Sequence, residues 1–258
     1  EGVAAALARI AGLTYLIEAT RRFTVTAVDA SLKPALASSI AKYHMTEFAR
    51  TIVNDAMDIH GGRGIQMGPR NYLAQGYIAI PISITVEGAN ILTRNLILFG
   101  QGAVRCHPYL RDEMDAITKK DMVSLDKLLI EHFSYSFKNL LKTFSFAFGL
   151  GHFFVDTPIK ELSYYYRQIS RLSAALALVT DFTLIILGGS LKRKERLSAR
   201  LGDVLSYLYM ASSVVRYVQD YPSSEEDRVY AQWGLDYCLY HIQYSLEKFF
   251  NNFPKPFL

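Results

Sequence analysis

Apolar positions recur at three- and four-residue steps along nearly the whole chain, the spacing of one face of a helix. Val3, Leu7, Ile10 and Ile17 fall on one such stripe. Phe48, Ile52, Ala56 and Ile59 fall on another, in a helix opened by Lys33-Pro34, since proline suits a first helical position. Leu162, Tyr165, Ile169, Leu172, Leu176 and Val179 form a third, and Leu197, Leu201, Val204, Leu208, Ala211 and Val215 a fourth. Tyr230, Trp233, Tyr237, Tyr240 and Tyr244 form a fifth. An amphipathic face is stable only when packed against a partner, so the pattern predicts an all-α protein of helical bundles. Helices are predicted near 3–30, 34–60, 71–77 and 88–104, then near 124–148, 160–187, 194–218 and 226–252. Ile78 to Val86 alternates like a strand, but Pro81 and the lack of a partner strand favour an extended connector. Residues 61–71, rich in glycine, read as a loop.

Composition narrows the class. A 258-residue chain that is 50% hydrophobic can bury a large core, which excludes a disordered tail. Cys106 and Cys238 are too few for a disulfide scaffold or a four-thiolate zinc site and suit a reducing compartment. A net charge of +4 is too small a bias for a nucleic-acid binder, so no nucleic-acid partner is expected. The segment from Leu172 to Leu191 has the length of a membrane span. Asp181 at its centre costs about 2.5–3.5 kcal/mol on insertion, so a helix buried in a soluble bundle is preferred. Residues 1–120 hold 8 of the 33 aromatic residues, and this shift suggests two domains, 1–113 and 122–258. The chain begins at Glu1 with no charged-then-apolar leader, and it reads as a piece of something longer.

Two places could carry chemistry. Gly61, Gly62 and Gly64 follow a strong helix, and without Cβ atoms they would let backbone amides approach a phosphate or diphosphate. The same glycines could simply cap the helix. Glu87 ends an uncharged run and precedes Gly88 at what looks like a helix start. It could cap that helix. Aimed into an apolar cavity, its carboxyl would instead become a stronger base, with Gly88 leaving room for a substrate carbonyl at the backbone. Other groups look structural. The six histidines show no metal-ligand spacing, so no metal site is expected. Asp112, Glu113 and Asp115 read as a solvated face, and Lys192 to Arg196 as a solvated basic run. The phenylalanines from Phe144 to Phe154 read as core, although an exposed version would mark a partner or membrane surface.

Together these residues resemble a known family. Asp58-Ile-His-Gly-Gly-Arg-Gly-Ile65, followed after about 20 residues by Val86-Glu-Gly-Ala-Asn-Ile-Leu-Thr-Arg94, looks like the C-terminal helical domain of the acyl-CoA dehydrogenases. Further stretches resemble the bacterial long-chain, FadE-type members. These are Ala6-Leu-Ala-Arg-Ile-Ala-Gly12, Phe99-Gly-Gln-Gly-Ala-Val-Arg-Cys-His-Pro-Tyr109, Leu187-Gly-Gly-Ser-Leu-Lys-Arg193, Ser198-Ala-Arg-Leu-Gly-Asp203 and Asn252-Phe-Pro254. The resemblance covers essentially the whole chain. It implies the family's C-terminal four-helix-bundle domain followed by an appended second helical bundle.

The resemblance also implies an activity. The family oxidises fatty acyl-CoA to trans-2-enoyl-CoA at the start of fatty acid β-oxidation. A glutamate removes the α-proton while the β-hydride passes to FAD, and electrons leave to an electron-transfer flavoprotein. By motif position Glu87 is the catalytic base and Gly88 a substrate contact. Asp58, Ile59, His60, Gly61, Gly62, Ala89, Asn90 and Ile91 fall at cofactor-binding positions. Asp58 stands where the family has Gln, Ala89 where it has Thr and Ile91 where it has Gln, so backbone contacts replace side-chain ones there. A homodimer in the bacterial cytoplasm, with peripheral contact at the inner membrane, is also implied. The family's N-terminal helical and middle β domains are not in this chain, so by itself it is expected to be inactive and to hold FAD weakly. The competing expectation is a non-catalytic helical module for dimerisation or membrane-surface attachment.

Overall fold

The structure, a computed structural model, describes residues 1–102, 107–153, 155–221 and 224–254. Five helical elements occupy the first part: α1 (Gly2–Asp29), α2 (Ala35–His60), α3 (Gly62–Ile65), α4 (Ala74–Thr85) and α5 (Asn90–Leu92). The backbone then widens into a π-helical stretch, Thr93–Gln101. There follow α6 (Leu110–Lys119), α7 (Met122–Ala147), α8 (Ser163–Leu187), α9 (Glu195–Asp220) and α10 (Glu225–Asn251). No strand occurs among the described residues, so the all-α expectation holds. Cys106 and Phe154 lie outside the described residues.

Two local expectations are corrected. The segment read as an extended connector is helix α4, with Pro81 inside it. Isoleucine alternating with alanine, serine and threonine over so short a run cannot by itself separate helix from strand. The missing Pro81 N–H leaves one carbonyl without its helical donor. Toward the helix end two hydroxyls bond back to the main chain: Ser83 Oγ donates to the Ile80 carbonyl (2.7 Å) and Thr85 Oγ1 to that of Pro81 (3.0 Å). The glycine loop also contains one helical turn, α3.

The chain forms two compact units, neither continuous in sequence. One comprises Glu1–Arg94 with Tyr209–Cys238, and the other Asn95–Leu208 with Leu239–Leu258. The boundary expected between 113 and 122 divides the chain in sequence, whereas these units divide it in space. Composition along the chain cannot reveal that α9 and α10 each contribute to both units.

In the first unit the core of α1 is Leu13, Leu16, Ala19 and Thr20, while Val3 and Leu7 of the expected stripe are exposed. Two contacts set that face. Arg9 grips the buried Asp55 of α2 through Nε to Oδ2 (2.6 Å) and Nη2 to Oδ1 (2.5 Å), a two-pronged charge-assisted pair. Gly12 lies against Trp233, whose ring stands 2.1 Å from where a Cβ would sit. On α10 the buried positions include Ala231, Leu235 and Cys238 in this unit and Leu239, Ile242 and Phe249 in the other, mostly aliphatic. The aromatic stripe expected there is divided: Trp233 and Tyr237 are half-buried, with Trp233 against Gly12, while Tyr230, Tyr240 and Tyr244 are exposed. The α9 stripe from Leu197 to Val215 is buried as expected.

In the second unit α7 packs on α6 and α8. Helix α8 buries Tyr165, Leu172, Leu176, Thr180, Asp181 and Thr183, but Phe182 and Ile185 are exposed, so it is not buried all round. Asp181 organises a polar centre. Its Oδ1 faces His107 Nε2 (2.9 Å) and His132 Nε2 (3.4 Å), and its Oδ2 accepts from Ser136 Oγ (2.6 Å). His132 Nδ1 meets Glu113 Oε1 at 2.7 Å, so Glu113 is buried rather than part of a solvated face. His107, His132 and Asp181 present atoms within 4.8 Å of one another, which no spacing in the sequence signals. His107 Nδ1 accepts from the amides of Tyr109 (3.2 Å) and Leu110 (3.3 Å), which puts the ring proton on Nε2, toward Asp181. A hydrogen-bond network therefore accounts for the group.

Burial raises the Asp181 carboxyl, but hydrogen bonds from His107 and Ser136 outweigh it, and the group is held below the usual carboxylate range. A lowered folded value means the stabilisation is present above the unfolded value and is lost as pH falls through the folded one. Asp181→Asn is therefore expected to cost about 2 kcal/mol at neutral pH. In urea titrations the gap from the parent should narrow steadily on acidification.

Candidate functional site

The candidate site lies in the first unit, on the structure that follows α2. Helix α2 stops at His60 because Gly61 turns to φ 54°, a left-handed value that favours glycine. The Gly61 N–H donates to the carbonyls of Met57 (3.1 Å) and Asp58 (3.2 Å), and the Gly64 N–H to that of Gly61 (2.9 Å). The capping reading of this loop is thus satisfied. Gly61 and Gly62 are nevertheless exposed, with nothing within 4 Å of where their Cβ atoms would be, so the backbone is open to a ligand as well. Gly64 is different: a Cβ there would stand 2.9 Å from the Met57 carbonyl oxygen, so it serves packing.

The flanking side chains divide into free and engaged. Asp58 is exposed and Ile59 half-buried. His60 is held at both nitrogens, by the Ala56 carbonyl at Nδ1 (2.9 Å) and the Tyr72 hydroxyl at Nε2 (2.7 Å). Past the glycines, Arg63, Gln66, Arg70 and Asn71 help to line a cavity of about 250 Å³. The two guanidiniums and the Gln66 amide make a donor set suited to a diphosphate. Asn71 also closes the loop. Its Oδ1 accepts from the amides of Leu73 (3.1 Å) and Ala74 (3.0 Å), capping α4, and its Nδ2 donates to the Gly64 carbonyl (2.8 Å). An Asn just before a helical run is a signal that sequence reasoning passed over.

Glu87 follows α4 at a sharp bend. Its φ is 55° and that of Gly88 is 90°. For a non-glycine residue the left-handed region costs roughly 1–2 kcal/mol, and such strain persists only where the surroundings enforce it. The carboxylate is exposed, not enclosed in an apolar cavity. It does not cap the next helix either: α5 begins at Asn90, with Ala89 in the cap position and no side-chain hydrogen bond. Of the other assigned positions, Ala89 and Ile91 are exposed. Asn90 is 2% exposed and faces inward.

Helix α2 supplies the enforcement, through residues that sequence reasoning did not single out. Lys42 Nζ donates to the Gly88 carbonyl (2.7 Å), to Asn90 Oδ1 (2.8 Å) and to the Ile84 carbonyl (3.4 Å). Asn90 Nδ2 donates in turn to Thr46 Oγ1 (2.9 Å) and Glu47 Oε1 (2.8 Å). The glycine turn and the Glu87 bend are therefore both attached to α2, one at its end and one along its side.

Comparison with known proteins bears on what this arrangement serves. Residues 104–258 match the family described as acyl-CoA dehydrogenase, C-terminal, bacterial type. Residues 1–100 match the acyl-CoA dehydrogenase C-terminal domain family. Among solved structures the chain is similar to an acyl-CoA dehydrogenase from Bacillus anthracis in complex with FAD, with a TM-score of 0.67 and 16% sequence identity. The similarity covers 95% of this chain but 41% of that one, and at such identity it speaks for the fold alone.

Proposed function

The chain belongs to the acyl-CoA dehydrogenase family, and from that premise we propose that it supplies the proton-abstracting base and part of the FAD cradle of an enzyme that oxidises fatty acyl-CoA to trans-2-enoyl-CoA. The observation that carries this reading is Glu87, an exposed carboxylate held in left-handed backbone beside Gly88. Strain enforced at a single acidic residue is what a prepositioned reactive group requires. The Glu87 carboxylate accepts the α-proton of the thioester. The Cβ–H bond gives up its electron pair with the hydrogen, and a double bond forms between the two carbons. FAD, when bound, supplies the hydride acceptor. The Glu87 backbone N–H, beside the small Gly88, polarises the thioester carbonyl, because charge building on that oxygen needs fixed donors. Glu87 is exposed in this chain, so its desolvation is to come from substrate binding.

The donor set past the glycine turn fits the cofactor's diphosphate. Gly61 and Gly62 offer backbone, while Arg63 offsets the nearby Asp58 carboxylate. The side chains of His60 and Asn90 are already engaged, so their contacts fall to the main chain, as do those of Ile59, Ala89 and Ile91. An electron-transfer flavoprotein would take the electrons onward, and the holoenzyme would be a bacterial cytoplasmic homodimer. Anaerobic mixing of the whole FAD-loaded enzyme to which this chain contributes with saturated fatty acyl-CoA is expected to bleach the oxidised-flavin absorbance and yield the 2-enoyl thioester. An unchanged spectrum at every acyl length would refute the proposal.

A second reading, attachment to a membrane surface, is favoured by α7. Most of its phenylalanines are not core: Phe133, Phe137 and Phe144 are exposed with Ile130 and Leu141 along one helix, and among the described residues of the expected cluster only Phe146 is buried. Lys127, Lys138 and Lys142 are exposed on the same helix. An apolar stripe with lysines beside it suits an anionic bilayer. Sedimentation of the protein with anionic vesicles at low salt, reduced in Phe133→Ser/Phe137→Ser, is the expected outcome. Equal sedimentation of the two proteins would exclude this face.

A further inference from the structure

We propose that Lys42 is the positioning residue for Glu87, an inference that rests on reading Glu87 as the base. An ammonium has three donors, and those of Lys42 find three acceptors that bracket the bend. The Ile84 carbonyl lies before Glu87, while the Gly88 carbonyl and Asn90 Oδ1 lie after it. Ile84 is also in the last turn of α4, where carbonyls lack helical donors and a cation is favoured. The grip has a second point one turn along α2, where Thr46 and Glu47 hold the Asn90 amide. Gly88 adopts a positive φ at no cost, but Glu87 would not keep its own for local reasons alone, because the chain there lies between helices and the Glu87 side chain is exposed. The ammonium links the two sides of the bend through atoms that a helix on its own could not bring together. Lys42 touches no reacting atom in this account. It fixes the direction in which the carboxylate leaves the main chain.

The test compares the parent with Lys42→Met, which keeps the stem and removes the donors. Lys42→Gln is used in its place if the Met variant does not fold. In the 258-residue chain, exchange of the Val86 and Thr93 amides, which donate to the Ile82 (3.0 Å) and Ala89 (2.9 Å) carbonyls on either side of the bend, is expected to quicken at least about tenfold, with the amides of α1 and α2 unchanged. In the whole FAD-loaded enzyme to which this chain contributes, the rate of flavin reduction by saturating acyl-CoA is expected to fall at least about tenfold, with acyl-CoA affinity unchanged within about twofold. Parental exchange at Val86 and Thr93, or a parental reduction rate, overturns the positioning role. A Glu87→Gln control separates the two ideas: if it too reduces flavin at the parental rate, the assignment of the base fails instead. If the control is inactive while Lys42→Met is normal, only the role of Lys42 fails.

Discussion

Replacing Glu87 with Gln is expected to slow flavin reduction by acyl-CoA on the order of a thousandfold, the range that a positioned proton acceptor contributes. The amide matches the carboxylate in size, so the bend, with its φ of 55°, and the contacts of Lys42 with Ile84, Gly88 and Asn90 remain. What changes is basicity alone, because an amide does not take a proton at neutral pH. The loss should therefore appear in the reduction rate and not in the affinity for acyl-CoA, the signature of an interaction made only in the transition state. Rapid mixing under anaerobic conditions, with the flavin spectrum of the unmixed variant as a check on cofactor binding, measures both. A variant that reduces flavin at the parental rate would place the base elsewhere.

Gly12→Ala is expected to destabilise the protein by about 3 kcal/mol, the upper range for forcing extra atoms into a packed core. The added methyl would stand 2.1 Å from one carbon of the Trp233 ring and 2.4 and 2.6 Å from two others. A flat indole stacked on Tyr237 cannot retreat by the more than 1 Å that this requires without moving its helix. For a chain of this length the loss corresponds to a melting point lower by roughly 6–12 °C. The protein's one tryptophan is the residue displaced, so its fluorescence reports directly on the site. Trimming the ring in Gly12→Ala/Trp233→Leu should return part of the loss, which a double-mutant cycle would show as coupling. An Ala variant as stable as the parent would mean that α1 and α10 are less tightly held than the contact implies.

What the sequence made legible follows from how many apolar faces each helix has. Helix α9 has one, and its stripe was read correctly from Leu197 to Val215. Helix α10 has two, an aromatic and an aliphatic one, and nothing in the spacing says which faces inward. On α1 the burial is decided by Arg9 and Gly12, through partners that lie far along the chain. The same limit governs the site. Gly61, Gly62 and Glu87 were visible as motifs, because glycine at a helix end and acid before glycine are local signals. Lys42 was not, since its role exists only when α2 lies beside the bend. Glu113 was misread as solvated for the same reason, its partner His132 being on another helix.

The two segments that complete the first unit, Glu1–Arg94 and Tyr209–Cys238, are separated by the whole of Asn95–Leu208. On the ribosome the amino-terminal helices therefore emerge long before Trp233 arrives to close against Gly12. In the interval Leu13 and Leu16 lack the covering that α9 and α10 later bring. Non-local closure of this kind slows folding and leaves apolar surface open to aggregation. A nascent chain of this design should depend on holding factors during translation, and expression in halves cut at the apparent composition boundary should yield an insoluble first half.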